Sequence, residues 1–161
     1  MNDKPPSHHL IYKIWMFVEL AEKRLGRCRH DRVLLNACVE ARAIHARGLL
    51  DFLYKKNPRQ DDYVAERAFP EQGRWGQIVG QSPGDLSEHM ERINKNIPHL
   101  TYKQLTREEG RQPPDWPRIE AIISSGLSKF FDEFPKSEVC SCDSCKRILS
   151  LESVRALIGK H

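Results

Sequence analysis

Long apolar runs are absent from this 161-residue chain. No window offers the roughly 18 or more apolar residues that a membrane span needs, so no membrane partner is expected. The stretch Met1 to His9 is polar and includes Pro5-Pro6. It lacks the ordered charged start, apolar run and small-residue cleavage site of a secretory signal, and a cytoplasmic location is the expectation. Cysteine is sparse and odd in number, five in all, with Cys28 and Cys38 inside helical patterns. Such usage reads as reduced thiols and not as a disulfide framework. Blocks of like charge are missing too: 26 Lys plus Arg stand against 22 Asp plus Glu, a net charge of +4. That surplus permits an anionic partner without demanding one, because the basic residues are dispersed and form no nucleic-acid-binding tail. Internal repeats and alternating strand patterns are also wanting.

What is present is helical periodicity. The length suits one domain, able to bury roughly 70% of the unfolded chain's surface. Residues 1–8 read as a loose tail. From His9 to Leu25, Leu10, Ile14, Phe17, Val18, Ala21 and Leu25 recur at helical spacing, and Gly26 ends the run. Asp31 is a good N-cap for a second helix over about 32–56, stopped by Asn57-Pro58. Its two apolar stripes, Leu34 to Phe52 and Leu35 to Leu53, mark it as the central helix, and Gly48 reads as a close-packing position. His45 lies on that face, either as a paired core residue or as the floor of a cleft. Glu40 and Arg42 flank it and read as solvated or salt-bridged surface, with a cleft lining as the alternative.

Residues 57–82 form an irregular insertion. Asp61 or Asp62 caps a short helix through Ala68; a half metal site is the other reading of that acidic pair. Phe69 and Trp75 imply that the insertion folds back on the bundle. Ser82-Pro83-Gly84-Asp85 looks like a helix start with Ser82 as N-cap and Pro83 at N1. Leu86, Met90, Ile93, Ile97 and Leu100 make the core stripe of that helix. A loop over 106–116 precedes a helix from Trp116 to Phe134, capped by Asp115 and ended by Pro135. Ser150 caps a short last helix, Leu151 to Ile158. The expected architecture is an all-α four- to five-helix bundle over 9–135, with a cysteine-containing appendage at 136–161.

Two groups of residues could carry chemistry. The first is Arg92-Ile93-Asn94-Lys95-Asn96-Ile97-Pro98-His99. Seven helical steps fall about 20° short of two turns, so an unbroken helix would point Arg92 and His99 the same way, about 10.5 Å apart along its axis. Arginine grips a phosphate through two parallel hydrogen bonds, and histidine is the usual general acid or base near neutral pH. Pro98 removes one helical hydrogen bond, so the pairing depends on the backbone there. The alternative is that Arg92 pairs with Glu88 one turn earlier while His99 packs or caps a chain reversal.

Arg92, six residues, then His99 resembles the Arg-x(4–6)-His signature of the HEPN superfamily, the higher-eukaryote and prokaryote nucleotide-binding helical domains. The resemblance covers residues 92–99 and the helical layout. It implies a metal-independent endoribonuclease or RNA-binding toxin or defence protein, acting as a homodimer and held in check by an antitoxin partner. Arg92 would hold the scissile phosphate and His99 would act as general acid or base. Asn94, Lys95, Asn96 and His45 are the accompanying candidates for binding RNA or a nucleotide. One histidine per chain supplies an acid or a base but not both, so this reading predicts a symmetric dimer. The other function class is a non-catalytic helical interaction or regulatory module.

The second group is Cys140-Ser141-Cys142-Asp143-Ser144-Cys145. Three thiols in six residues bind zinc when a fourth ligand joins them, such as His161 or a residue of another chain. The enzymatic reading needs no cofactor; the alternative module carries a structural zinc. A redox pair of two of these thiols and a plain reduced loop are the remaining readings.

Overall fold

A computed structural model describes residues 5–21, 30–96 and 114–159. Among them are seven α-helices and no strand, so the all-α expectation holds. The helices are α1 (Pro6–Glu19), α2 (Arg32–Tyr54), α3 (Arg74–Val79), α4 (Leu86–Asn96), α5 (Trp116–Glu133), α6 (Asp143–Ser150) and α7 (Glu152–Ile158). Single 3₁₀ turns lie at Ala65–Ala68 and Lys136–Glu138.

The 23-residue α2 is the central element, in contact with α1, α4 and α5. The Asp31 carboxylate caps it by accepting from the Val33 and Leu34 amides, both at 3.0 Å. Asp115 does the same for α5 through the Arg118 amide. Both caps satisfy amides that an α-helix leaves without an internal partner. Leu49, Leu50 and Leu53 of α2 meet Ile119, Ile123, Leu127 and Phe130 of α5 in one buried core, joined by Leu10, Ile14 and Phe17 of α1. Gly126 sets how closely α5 approaches α2: a Cβ there would lie 2.7 Å from Leu53 Cδ1 and 2.9 Å from Tyr54 Oη. Gly48, expected to serve that purpose, faces the end of the Lys13 side chain instead.

The 57–82 insertion does fold back, and aromatic packing is the reason. Phe130 is fully buried, with Phe52, Phe69, Trp75, Phe131 and Phe134 around it at ring separations of 5.0, 5.7, 5.8, 5.5 and 4.8 Å. Trp75 also donates its indole N–H to the Leu53 carbonyl at 2.7 Å, which removes the cost of burying that donor. The insertion carries the short helix α3, which its sequence does not announce. Only Ala65–Ala68 is helical where a helix from Asp61 was expected, and it is a 3₁₀ turn. Asp62 is engaged by Lys55 at 2.6 Å and by the Arg59 amide at 2.6 Å. Arg67 donates to the carbonyls of Arg59, Gln60 and Asp62, so the acidic pair belongs to a closed loop.

Several boundaries differ from expectation. The predicted tail is in part helix: α1 starts at Pro6, whose missing N–H costs nothing at the first helical position. The last turn of the predicted first helix lies outside the described residues. Helix α4 begins at Leu86, after a turn in which the Leu86 amide donates to the Pro83 carbonyl, so Ser82 is not its cap. Ser150 ends α6, its hydroxyl donating to the Arg147 carbonyl, and Leu151 takes the cap position of α7. Arg42, expected at the surface, is 4% exposed. Its guanidinium lies 4.1 Å from the Trp116 ring centre and 5.3 Å from that of Phe17, and it pairs with Glu120. Stacking on aromatic faces is what lets a planar cation enter a core edge.

The start of α4 is tied to α5 by Asp85. Its carboxylate accepts from Arg118 Nε at 2.6 Å and Nη2 at 3.1 Å, and from His89 at 3.3 Å. The Arg118 hydrogen bonds, ahead of that from His89, hold the Asp85 carboxyl down to about 2 from 3.8. A carboxyl whose pKa is lower folded than unfolded stabilises the fold above the unfolded value and loses that contribution as pH falls through the folded one. Asp85→Asn should therefore lower the melting temperature at pH 7. The gap to the parent protein should shrink as pH falls from about 4 towards about 2, measured by thermal unfolding across that range.

Candidate metal centre

The C-terminal cysteines do not form an independent appendage. Val154 and Ile158 of α7 enter the main core, and the Ser124 hydroxyl on α5 donates to the Leu157 carbonyl at 2.7 Å. The preceding segment docks on α1. Ser7, 3% exposed, donates its hydroxyl to the Glu138 carbonyl at 2.9 Å and accepts from the Cys140 amide at 3.1 Å. These two hydrogen bonds join residues more than 130 positions apart and bring Cys140 beside the next residue of α1, His8.

Four ligand atoms then converge. His8 Nδ1 lies 3.1 Å from Cys145 Sγ, 3.6 Å from Cys142 Sγ and 3.7 Å from Cys140 Sγ. All four atoms fall within 4.8 Å of one another, a set that could hold a metal ion. Ile11, Ile148 and Leu149 pack around the cysteines and screen one side from water. Cys140 and Cys145 are buried, whereas Cys142 and His8 are half-exposed. Cys142 and Cys140 line a cleft of about 700 Å³ together with Ser141, Tyr63 and Arg67.

Local sequence explains the placement. Cys142 is the N-cap of α6, and Cys145 sits in its first turn. His8 stands in the first turn of α1. The N-terminus of α6, which carries partial positive charge, favours the ionised form of Cys142. The Cys145 amide beside Cys142 holds that thiol's pKa down to about 6, with the Cys140 side chain assisting. Burial pushes the Cys145 thiol up to about 12, and the two neighbouring thiols add to the shift. The site therefore combines a ready thiolate with a buried thiol that ionises when a cation compensates its charge.

Part of this site is legible from sequence, since Cys140, Cys142 and Cys145 do come together. Within the chain His8 offers the fourth candidate ligand atom, while His161, named as an expected fourth ligand, lies outside the described residues. Pro5-Pro6-Ser7, a proline-led helix start, was the signal that could have placed His8 on an ordered helix.

The other candidates are dispersed. Arg92 is on α4 with its side chain 26% exposed, paired with Glu88 one turn earlier. Asn94 is half-buried, and its Oδ1 has no hydrogen-bond partner among the described residues. Lys95 and Asn96 complete the last turn of α4, and His99 lies outside the described residues. His45 is half-buried on α2, its ring centre 5.9 Å from that of Tyr12 in an edge-to-face arrangement. Its Nδ1 is buried without a hydrogen-bond partner among the described residues. Burial first, and Lys13 second, lowers its pKa, which favours the neutral ring. Comparison with models of known protein families, with curated proteins and with solved structures returns no match to this chain.

Proposed function

We propose that this chain is a non-catalytic helical module whose C-terminal segment is locked to its first helix by a structural zinc ion. The ligands are His8, Cys140, Cys142 and Cys145. The observation that carries the reading is the convergence of one imidazole nitrogen on three sulfurs. An imidazole nitrogen offers one lone pair or one N–H, so hydrogen bonding alone accounts for one such contact, not three. A shared cation accounts for all of them. Tetrahedral zinc with Zn–S near 2.3 Å and Zn–N near 2.0–2.1 Å places nitrogen about 3.6 Å from each sulfur. The distances of 3.1, 3.6 and 3.7 Å bracket that value. Three soft thiolates and an imidazole select zinc over harder cations. Four protein ligands also close the coordination sphere, the mark of a structural site and not of a catalytic one.

Metal analysis of protein purified without chelators tests the proposal. One zinc per chain is expected, retained through gel filtration and lost to a strong chelator. Protein that carries no metal, and takes up none when zinc is supplied under reducing conditions, would overturn it.

The Glu88–Arg92 pair also supports the non-catalytic reading, because the arginine's charge is already met by a carboxylate. A second reading, the HEPN-like endoribonuclease with Arg92 and His99 as its active pair, draws support from Arg92 standing beside the fully buried Ile93 on a bundle of helices. It brings with it an RNA substrate, a homodimer and an antitoxin partner. An RNA cleavage assay in EDTA separates the two. Cleavage lost in both Arg92→Ala and His99→Ala would establish the enzyme; no cleavage above a buffer control is expected.

A further inference from the structure

We infer that Cys142 is a site of oxidative modification, at which a hydroperoxide converts the Cys142–Cys145 pair to a disulfide and expels the metal. The inference rests on the zinc reading and adds to it a chemical means of release.

Three features point to this pair. Cys142-Asp143-Ser144-Cys145 is a Cys-x-x-Cys stretch across a helix N-terminus, with Cys142 at the N-cap and Cys145 in the first turn of α6. That spacing places the two sulfurs near one another, and all three cysteine sulfurs fall within 4.8 Å. Exposure then assigns the roles. Cys142 is half-exposed and lines the 700 Å³ cleft, so a small oxidant reaches its sulfur. Cys145 is 0% exposed and lies behind it, shielded from the oxidant but not from its neighbour. Cys140 is also buried, but only one residue separates it from Cys142, and a bond between them would close a small strained ring.

The step balances with the hydroperoxide as the only co-reactant. The Cys142 thiolate attacks one peroxide oxygen, the O–O bond breaks, and a sulfenic acid and hydroxide (or alkoxide) result. The Cys145 thiolate then attacks the Cys142 sulfur, the S–O bond breaks and a second hydroxide leaves. Each sulfur has given up one electron, and both peroxide oxygens have been reduced. Zinc itself is redox-inert. It is left with His8 and Cys140, too few ligands to hold it, and the link between α6 and α1 opens.

The experiment uses the full chain as purified with its metal. Hydrogen peroxide is titrated in while a chromogenic chelator reads released zinc, and peptide mass mapping after alkylation reads the thiols. One zinc released per equivalent of peroxide is expected, together with a Cys142–Cys145 cross-linked peptide, an alkylatable Cys140, and recovery on adding reductant and zinc. Cys145→Ser, where it retains metal, should accumulate oxidised Cys142 without the cross-link. Should that variant fail to fold, the wild-type map alone decides. Metal retained at a tenfold excess of peroxide, or released with a different thiol pair joined, would overturn the inference and leave the zinc centre standing. Protein with no metal at any stage would remove both.

Discussion

Replacing Cys145 by alanine should abolish binding at the proposed zinc site and lower the melting temperature by roughly 8–16 °C at saturating metal. The size follows from linkage. A ligand that binds only the folded state at a thousand times its dissociation constant adds about 4 kcal/mol. For a domain of this length each kcal/mol moves the melting temperature by roughly 2–4 °C. The chain has a core that does not depend on the metal, with Phe130, Leu49 and Ile123 fully buried within it, so the variant should still fold. Cys145 is itself fully buried, and alanine leaves a small cavity as well as a missing ligand. His8→Gln separates the two effects, because it removes a half-exposed ligand without emptying a buried position. In excess chelator the parent protein and His8→Gln should melt together, while Cys145→Ala should stay slightly lower. A large gap persisting in chelator would show that packing, not metal, is what Cys145 supplies. Protonation works against the metal, since thiols must ionise to bind it. Burial pushes the Cys145 thiol up to about 12, so its proton is displaced on binding and zinc affinity should rise with pH.

Phe130→Ala is expected to destabilise the fold by about 3–5 kcal/mol, the usual cost of deleting a buried aromatic ring. That corresponds to a fall of roughly 6–20 °C in melting temperature. Five rings touch Phe130, and three sit on other elements: Phe52 on α2, Phe69 in the insertion and Trp75 on α3. The void would therefore open where the insertion docks, and the segment around 58–80 should loosen first. Trp75, 4% exposed and bonded to the Leu53 carbonyl, reports on this: its fluorescence should shift to longer wavelength before global unfolding. The content of the proposed zinc should not change, because Cys140 and Cys145 pack with Ile11 in a cluster separate from that of Phe130. Loss of metal in Phe130→Ala would mean that the two regions are coupled.

Much of the helical frame was legible without coordinates. Asp31 and Asp115 announce their helices because a short acidic side chain reaches the free amides of a first turn, and both do so. The apolar spacing identifies the buried face of α5 and part of that of α2, where Leu34 of the expected stripe is exposed and Ala43 and Leu50, outside both stripes, are buried. Elsewhere local signals compete. Ser82-Pro83 resembles a helix start, yet Asp85 is drawn into a pair with Arg118 and the helix opens at Leu86. Arg42 looks like surface because it is charged, but Trp116 and Phe17 provide aromatic faces on which it can be buried. Neither partner is near it in the chain.

By itself, the sequence determined that this protein is helical, which face of α5 is buried, and that three cysteines stand close enough to share an ion. Spacing along one helix and proximity along one stretch of chain suffice for each of these. The fourth member of the candidate metal cluster, His8, was decided only by the tertiary structure. His8 and Cys140 are 132 residues apart, and no local pattern encodes a contact over that distance. It arises because Val154 and Ile158 carry α7 into the core, while Ser7 bonds both the Glu138 carbonyl and the Cys140 amide. Hydrophobic burial sets where the C-terminal segment lies, and two hydrogen bonds fix its register against α1.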